Sequence, residues 1–400
     1  MTTRDKKICV IGLGYIGLPT AALLANRGHD VHGVDVVQST IDTINNGDIH
    51  IVEPGLDTFV SSAVKSGKLK ADLKPTEADV FIIAVPTPFH EGYVPNVDYI
   101  VSATKAIVPY VKAGDIVILE STSPVGTTDM MEEILKEEGI DTTTLFIAHC
   151  PERVLPGRIM IELVENDRIV GGTTPEATEA TIAFYNTFVE GAVLSTDAKT
   201  AEMAKLTENS FRDTNIAFAN ELSILCDKFD IDVWELIALA NRHPRVNILQ
   251  PGAGVGGHCI AVDPWFIVHA GGEDAKMIRT AREVNTYKTE WAIEKIKNEA
   301  LKFETENGRK AKVACMGLAF KPDIDDLRES PALYITRKLI ADGIKVLAVE
   351  PNVKELKEFE VIDYANALEE ADVVTFLVAH KEFKGLNIQT DLDFCGVLNK

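Results

Sequence analysis

One cysteine, Cys259, stands two residues after a glycine-rich run in the stretch PGAGVGGHCIAVDPWF, residues 251–266. A cysteine is either a small buried hydrophobic residue or, as a thiolate, a nucleophile. Glycines offer little side-chain surface for a core, and they let a ligand lie against bare backbone. Asp263 and Pro264 form a good N-cap and first-turn pair for a short helix, whose positive end favours a nearby thiolate. The pattern favours a nucleophilic Cys259, with a buried structural cysteine as the alternative.

A second set of reactive side chains lies in KLTENSFRD, where Lys205, Asn209 and Arg212 are spaced at i, i+4 and i+7. This spacing puts all three on one face of a helix. A lysine and an amide that share a face can hold a reacting alcohol oxygen and manage its proton, if burial or a neighbouring cation lowers the pKa of the lysine. A solvated helical face is the equal alternative.

The motif GLGYIG, with Gly12, Gly14 and Gly17, stands between a predicted strand and a predicted helix. This context indicates a dinucleotide site: the three glycines serve the tight turn, the approach of the pyrophosphate and helix–strand packing, respectively. Asp35 ends the next strand, where its carboxylate can accept the ribose hydroxyls and repel a 2′-phosphate. The sequence therefore predicts NAD rather than NADP, with a turn that binds no ligand as the alternative.

NAD and a nucleophilic thiol together suggest a particular chemistry. Oxidising an alcohol to an aldehyde needs one hydride acceptor and no thiol. Continuing to an acid benefits from a thiohemiacetal that gives up a second hydride and leaves a thioester, which water then hydrolyses.

Composition limits the classes of partner. Asp and Glu number 61 and Lys and Arg 40, for a net charge of −21, which argues against nucleic acid or anionic membranes as main partners. The 6 cysteines are far apart, with no CxxC pair and no cysteine–histidine cluster at metal spacing, so we expect no metal site and a reducing, cytoplasmic location. The uncharged run at 8–26 resembles a signal peptide or membrane span, but its glycines and Pro19 favour strand, turn and helix.

The periodicity predicts an α/β protein with two Rossmann-like, doubly wound parallel sheets joined by a central all-α segment. We expect a NAD-binding domain at 1–195, a helical dimerisation domain at 196–303 and a C-terminal nucleotide-sugar domain at 304–400, with a hydrated linker, ETENGRK, at 304–310. Apolar stripes on the long central helices predict a homodimer.

The last ninety or so residues repeat the pattern of the first. KVACMGLA matches KICVIGLG, VLAVE matches VHGVD, and EADVVTFLV matches EADVFIIAV. GLAFKP replaces GLGYIG in the second copy, so we expect this half not to bind a dinucleotide in the same way.

Over essentially its whole length the chain resembles the UDP-glucose/GDP-mannose dehydrogenase family, and within it the branch that acts on UDP-N-acetyl-D-mannosamine. The segments that carry the resemblance include VIGLGYIGLPTA, NNGDIHIVEPGL, ILESTSPVGTT, CPERVLPG, KLTENSFRDTNIAFANELS, ANRHPRVNILQPGAGVGGHCIAVDPWF, MIRTAREVN and GLAFKPDIDDLRESPA.

The resemblance implies a four-electron oxidation of the sugar C6 hydroxyl to a carboxylate, with two NAD+ consumed. Cys259 matches the family nucleophile, and Lys205 with Asn209 matches the group that stabilises the alkoxide and hemithioacetal oxygen. Asp263 matches an acid that orients Lys205 or water. Glu152 and Thr122 match residues implicated in thioester hydrolysis.

The resemblance also implies two sets of binding residues. For NAD they are Tyr15, Ile16, Asp35, Thr87, Thr122 and Arg328. For the UDP-sugar they are Arg153, Val154, Lys205, Asn209, Arg212, His243, Arg245, Gly256, Phe320 and Lys321, and Arg245 or His243 is expected to reach the site of the partner subunit.

Two departures from the family pattern bear on binding. VVQST follows Asp35 where many relatives have a basic residue, which puts a charged adenosine contact in doubt. Lys400 stands near the end where close relatives tend to place an arginine.

Alternatives at this stage are a UDP-N-acetylglucosamine or UDP-glucose 6-dehydrogenase of the same family, a two-electron hydroxyacid dehydrogenase that needs no Cys259, and a non-catalytic nucleotide-sugar sensor. IAVDPW after the thiol favours the N-acetylmannosamine branch over UDP-glucose enzymes, which usually have Pro-Lys-Asp there.

Overall fold

The computed structural model describes residues 6–257, 259–353, 355–390 and 392–398, so Lys400 lies outside the described residues. The chain divides into two compact units, Met1–Thr207 and Glu208–Lys400. The expected domain boundaries at residues 195 and 303 stay predictions.

Within its described residues, the first unit contains eight strands of one sheet and a short hairpin. The strands are β1 (Lys7–Ile11), β2 (Asp30–Val34), β3 (Leu69–Asp72), β4 (Val80–Ile83), β5 (Phe89–His90), β6 (Val94–Pro95), β7 (Ile116–Leu119), β8 (Phe146–His149), β9 (Arg168–Gly172) and β10 (Val193–Asp197). The helices are α1 (Gly17–Asn26), α2 (Gln38–Asn45), α3 (Leu56–Lys65), α4 (Asp98–Ile107), α5 (Thr127–Glu137), α6 (Ile159–Glu165) and α7 (Pro175–Tyr185).

The sheet order is β10-β9-β8-β7-β4-β1-β2-β3, while β5 and β6 pair separately. The central strands VFII and IVIL are buried at every residue, as expected when helices cover both faces of a parallel sheet. One pairing departs from the predicted parallel sheet, because β8 and β9 are antiparallel. The strand-turn-helix interpretation of the N-terminal run is confirmed by β1 and α1.

The boundary between the units falls within α8 (Ala198–Phe229). The second unit continues with α9 (Val233–Ala240), α10 (Asp263–Gly271), α11 (Lys276–Asn307), β11 (Lys312–Met316), α12 (Pro331–Ala341), β12 (Lys345–Val349), α13 (Tyr364–Glu370) and β13 (Val373–Phe376). β11 lies between β12 and β13 and pairs in parallel with both, which confirms a second, smaller Rossmann-like sheet.

The predicted linker at 304–310 is wrong for its first half, because α11 continues to Asn307. The charged residues of ETEN are compatible with a solvated last helical turn, and the helix ends only where Gly308 adopts a positive φ of 66°. Arg309 then forms a two-pronged ion pair with Asp372, with N–O distances of 2.6 Å.

Polar side chains join α8 to α11 inside the second unit. Arg282 donates to Asp213 at 2.6 Å, and Asn285 donates to the same carboxylate at 2.8 Å. Asn220 donates to Asn285 at 2.8 Å. All four side chains are buried, so the two long helices are held in register by hydrogen bonds that water does not weaken.

A buried lysine follows on the same face of α11. Lys288 donates to the Ser223 hydroxyl at 2.7 Å, and its ammonium lies 3.8 Å from the centre of the Trp291 ring. Burial lowers the pKa of Lys288 from 10.5 to about 7, because desolvation disfavours the charged form.

Among the described residues, no helix is both long and apolar enough to cross a membrane.

We expect Lys288→Met to be more stable than the wild type, and more so at pH 7 than at pH 10. Between its folded pKa of about 7 and its unfolded value of 10.5, Lys288 binds more protons in the unfolded chain. The wild type therefore gains unfolding free energy as the pH rises through this window, and the advantage of the variant shrinks by about 2–4 kcal/mol. Denaturant unfolding of both proteins at the two pH values measures this difference.

Lys302→Met is the matched control on the same helix, because Lys302 is exposed and pairs with Glu299 at the surface. We expect its effect on stability to be small and independent of pH over this range. An advantage of Lys288→Met that is the same at pH 7 and pH 10 would contradict the account of Lys288.

Candidate functional site

The glycine motif forms the turn between β1 and α1. Gly12 has a φ of 92°, and a Cβ atom there would overlap the carbonyl oxygen of Ala84. A Cβ at Gly17 would overlap the carbonyl oxygen of Gly12, so no larger residue fits at either position. A Cβ at Gly14 would meet nothing within 4 Å, so this exposed backbone is open to a ligand. The three positions fit the pyrophosphate of a dinucleotide at the start of a helix.

Asp35 follows the last residue of β2 and is held beside this turn. Its carboxylate accepts the backbone N–H groups of Leu13 at 3.1 Å and Val37 at 3.0 Å. These bonds fix the orientation of a partly exposed carboxylate that can still accept the two ribose hydroxyls. A fixed negative charge there disfavours a 2′-phosphate.

The other expected NAD residues of this unit lie at the same edge of the sheet. Tyr15 is exposed and Ile16 stands directly before α1. Thr87 follows β4 and donates to the carbonyl of Thr122, which follows β7, at 2.6 Å. Because β7, β4, β1 and β2 are consecutive parallel neighbours, their carboxyl ends bring these loops together. The residues present therefore fit a bound dinucleotide.

Glu152 follows β8 at this edge and is almost fully buried. Its carboxylate accepts the backbone N–H of Arg153 at 2.6 Å and the guanidinium of Arg168 at 2.8 Å. The side chain of Arg153 donates to the carbonyl of Asp167, and Val154 packs against the core. Sequence reasoning placed Glu152 and Arg153 here but missed Arg168. A charged residue that opens the otherwise apolar strand RIVGG was the available signal.

Lys205 is half-buried on α8 in the first unit, and α8 continues through Asn209 and Arg212 into the second. The predicted helix under KLTENSFRD is confirmed. Asn209 is buried, whereas Arg212 is exposed.

Asp263 is the first residue of α10 rather than its N-cap, so the predicted capping role is wrong. Its backbone N–H donates to the carbonyl of Cys259 at 2.9 Å, and its buried carboxylate accepts the side-chain amide of Asn209 at 2.5 Å. Asn209 thereby fixes the turn that leads from Cys259 into α10. The structure brings together two of the expected catalytic residues.

Cys259 is exposed, whereas Cys9, Cys150, Cys226 and Cys315 are buried. Burial raises the pKa of Cys9 to about 11 and those of Cys150 and Cys315 to about 12, which keeps these thiols protonated and inert. Exposure one turn before a helix is the environment of a reactive thiol. The alternative of a buried structural Cys259 does not hold.

Three of the glycines before Cys259 pack against other parts of the second unit, at positions where a side chain would not fit. A Cβ at Gly254 would overlap the hydroxyl of Thr289, and one at Gly256 would overlap the carbonyl oxygen of Glu329. A Cβ at Gly257 would lie 2.8 Å from the ring of Phe320. The glycines allow close packing against the segment GLAFKPDIDDLRESP, and this packing brings Gly256 next to Phe320.

The same loop is attached to α8 and α11 by hydrogen bonds. The N–H of Gly252 donates to Asn220 at 2.9 Å, and Thr289 donates to the carbonyl of Ala253 at 3.0 Å. Asn215 accepts the N–H of Leu249 at 3.0 Å. The register of α8 and α11 therefore sets the position of the loop that carries the thiol.

The remaining expected binding residues of the second unit are exposed: Arg212, His243, Arg245, Lys321 and Arg328. Arg328, expected at NAD, forms an ion pair with Asp326 at 2.6 Å. Arg212, Arg245 and Lys321 supply positive charge on an acidic chain, as a diphosphate requires.

Glu350 holds the turn of the second sheet that corresponds to the glycine turn of the first. It follows β12 as Asp35 follows β2, and its carboxylate accepts the N–H groups of Leu318 at 2.8 Å and Ala319 at 2.9 Å. It also contacts the buried His380 at 3.0 Å and is itself buried. The acid that could bind a ribose is thus used to hold the GLAF turn.

Comparisons with known proteins agree across the chain. Models of the UDP-glucose/GDP-mannose dehydrogenase family match at residues 6–189 (NAD binding domain), 199–287 (central domain) and 314–394 (UDP binding domain).

Similar proteins include a UDP-N-acetyl-D-mannosamine dehydrogenase from Campylobacter jejuni, 58% identical over 97% of this chain and 99% of that one. An NDP-N-acetyl-D-galactosaminuronic acid dehydrogenase from Ralstonia nicotianae is 52% identical over 96% of this chain and 92% of that one. The solved UDP-D-ManNAc dehydrogenase from Pyrococcus horikoshii is 40% identical, with a TM-score of 0.86 over 95% of this chain and 91% of that one.

Asp35→Asn should lower the preference for NAD+ over NADP+ by about tenfold, because it removes the charge that repels a 2′-phosphate but keeps an acceptor for the Leu13 N–H. The ratio of kcat/KM for the two cofactors measures this preference. Asp42→Asn, on the exposed face of α2, should leave the ratio unchanged. An unchanged ratio in Asp35→Asn would contradict the role given to Asp35.

Proposed function

This chain belongs to the UDP-glucose/GDP-mannose dehydrogenase family, and from that premise we propose that it oxidises UDP-N-acetyl-D-mannosamine at C6 to UDP-N-acetyl-D-mannosaminuronate. The family membership makes it a NAD-dependent nucleotide-sugar dehydrogenase. The proposal adds the sugar, the position oxidised and a covalent route through Cys259.

Bound NAD+ supplies a hydride acceptor for each of two oxidations. In the first, Lys205 and Asn209 hold the C6 oxygen while the hydroxyl proton leaves to water and the alcohol becomes an aldehyde. The sulfur of Cys259 then bonds to the aldehyde carbon, and the oxygen takes a proton to give a hemithioacetal. Loss of a hydride and of the hydroxyl proton turns this adduct into a thioester.

Hydrolysis completes the reaction. Glu152 accepts a proton as water adds to the thioester carbonyl, with Thr122 helping to place the water. The carbon–sulfur bond breaks, the proton passes to the sulfur of Cys259, and the acid ionises to a carboxylate. Asp263 contributes by fixing Asn209, with which it shares a hydrogen bond.

The observation that carries this proposal is the exposed thiol of Cys259 at the start of α10, beside the Asn209–Asp263 pair. A two-electron dehydrogenase has no use for such a thiol, and a sensor needs neither the thiol nor the Asn209–Asp263 pair beside it.

The choice of sugar rests on similarity rather than on contacts. Relatives named for N-acetyl-D-mannosamine and for N-acetyl-D-galactosaminuronic acid are 58% and 52% identical to this chain. Pockets separate such epimers by only about 1–3 kcal/mol. The alternatives are therefore UDP-N-acetylgalactosamine, UDP-N-acetylglucosamine and UDP-glucose.

Counting NADH per sugar tests the covalent route. The wild type is assayed with UDP-N-acetyl-D-mannosamine and, separately, with each of the three alternative sugars. With UDP-N-acetyl-D-mannosamine it should form about two NADH for each sugar consumed, as a four-electron oxidation requires. Cys259→Ala should form no carboxylate and at most one NADH per sugar. The control Cys395→Ala, at a half-buried thiol, should keep the wild-type ratio.

Other outcomes of this NADH count would identify one of the alternative functions. A ratio of one that Cys259→Ala leaves unchanged indicates a two-electron hydroxyacid dehydrogenase. Tight binding of the nucleotide sugar without any NADH indicates a sensor. A ratio of two with another sugar of the panel, and none with UDP-N-acetyl-D-mannosamine, corrects the sugar alone.

We also propose a homodimer formed through α8. Phe211, Phe218 and Leu225 recur every seven residues and, with Phe229, are 41–67% exposed. Such a stripe runs almost straight along a helix, and burying it against the same stripe of a second copy forms a two-fold interface.

The reactive exposed thiol and the use of NAD support a reducing, cytoplasmic location.

Phe218→Glu should shift the protein from dimer to monomer, because a two-fold axis places the new charge near its own copy. Sedimentation at several protein concentrations measures the shift. Phe218→Leu keeps an apolar contact and should remain dimeric. A Phe218→Glu protein that sediments as the wild type does would exclude α8 as the interface.

A further inference from the structure

A cluster of five buried side chains lies behind Glu152 in the first unit. We call it the Arg168 cluster, and it contains Glu120, Cys150, Glu152, Arg168 and Tyr185. The members come from the ends of β7 and β8, the start of β9 and the end of α7. Sequence reasoning gave a role to Glu152 alone.

One arginine faces two carboxylates in this cluster. A guanidinium nitrogen of Arg168 lies 2.8 Å from Glu152 and 3.9 Å from Glu120. The hydroxyl of Tyr185 donates to Glu120 at 2.9 Å, and the guanidinium lies 5.4 Å from the centre of the Tyr185 ring. Arg168 therefore pairs closely with Glu152 and acts on Glu120 at longer range.

The antiparallel pairing of β8 and β9 produces this contact. Ala148 pairs with Gly172 and His149 with Gly171. Continuing that register past β8 brings Glu152 opposite Arg168. A parallel β9 would place its first residue at the other edge of the sheet, far from Glu152.

A single positive charge cannot neutralise two buried carboxylates, so one of them tends to hold a proton. Burial, and then repulsion from Glu152, raise the pKa of Glu120 to about 7, although Arg168 and Tyr185 oppose the rise. The titratable or charged groups that face Glu120 among the described residues are Arg168, Glu152, Cys150 and Tyr185. Burial keeps Cys150 and Tyr185 protonated, so Glu120 is the member that changes charge near neutral pH.

We propose that Glu120 and Arg168 are positioning residues for Glu152, and that the charge on Glu120 sets how strongly Glu152 draws a proton from water. The proposal rests on the proposed function, in which Glu152 serves the hydrolysis of the Cys259 thioester. Neither Glu120 nor Arg168 needs to touch the substrate, because both act through the carboxylate of Glu152.

The charge on Glu120 should change the basicity of Glu152 in a defined direction. When Glu120 is protonated, Arg168 stabilises the Glu152 anion alone, and Glu152 is a weak base. When Glu120 is ionised, it shares the arginine and repels Glu152, which becomes a stronger base. Proton transfer from the attacking water is then faster, while the bonds formed and broken in hydrolysis are unchanged. Hydrolysis should therefore accelerate as the pH rises through about 7.

Burst kinetics of the Glu120→Gln variant test whether the charge on Glu120 controls hydrolysis. Glutamine keeps the shape of the glutamate side chain but remains neutral at every pH. Rapid mixing with substrate and NAD+ gives a fast phase of NADH formation up to the thioester and a slow phase limited by hydrolysis. At pH 8 the slow phase of the variant should be about 3- to 10-fold slower than that of the wild type, with the fast phase unchanged. In the variant, the rate of the slow phase should no longer rise between pH 6 and pH 8.

Asp115→Asn is the matched control. Asp115 is buried directly before β7, at the opposite end of the strand from Glu120, and burial raises its pKa as well. The variant should keep the wild-type pH profile of the slow phase.

A second variant, Tyr185→Phe, removes the hydroxyl that stabilises the ionised Glu120. The rise of the slow phase should move to higher pH, a shift that a purely structural role would not produce. A wild-type profile in Glu120→Gln or in Tyr185→Phe overturns the proposal, and if Glu120→Gln does not fold, Tyr185→Phe decides alone. A wild type that forms one NADH per sugar shows instead that the proposed function has failed.

Discussion

The loop at 251–257 has to lie against other parts of its own unit at almost every residue, and this constraint fixes where the thiol can be. Three of its glycines contact Thr289, Glu329 and Phe320 so closely that a methyl group has no space. Hydrogen bonds from α8 and α11 hold Gly252 and Ala253. Cys259 then emerges at the surface one turn before α10. A side-chain-poor backbone therefore allows the close packing that places an exposed thiol accurately.

In both units, buried polar contacts hold the reactive side chains in position. In the second, Asn209 and Asp263 fix the turn after Cys259, and Asn220 links the loop to α11. In the first, Arg168 holds Glu152 by a charged hydrogen bond that is shielded from water. Each reactive side chain is positioned by buried polar neighbours, as precise chemistry on a flexible side chain requires.

The sequence predicted features that depend on neighbouring residues. The turn at Gly12–Gly17, Asp35 at the end of a strand and the helix under Lys205 follow from local spacing, and all three elements are confirmed. The Arg168 cluster was missed because its members are separated by loops and helices and meet only through an antiparallel strand order. The close packing of the glycines before Cys259 was missed for a similar reason. Their closest contacts lie between 35 residues (Gly254 to Thr289) and 73 residues (Gly256 to Glu329) away along the chain, and local composition does not encode them.

If the sulfur of Cys259 holds the sugar between the two oxidations, the covalent adduct can be trapped during turnover. Wild-type enzyme mixed with substrate and NAD+, quenched in acid within one turnover and digested, is mapped by mass spectrometry. A thioester of the oxidised sugar is expected on the peptide that contains Cys259 and on none of the other five cysteines. Carboxylate product formed at the normal rate with no adduct on Cys259 at any quench time would contradict it.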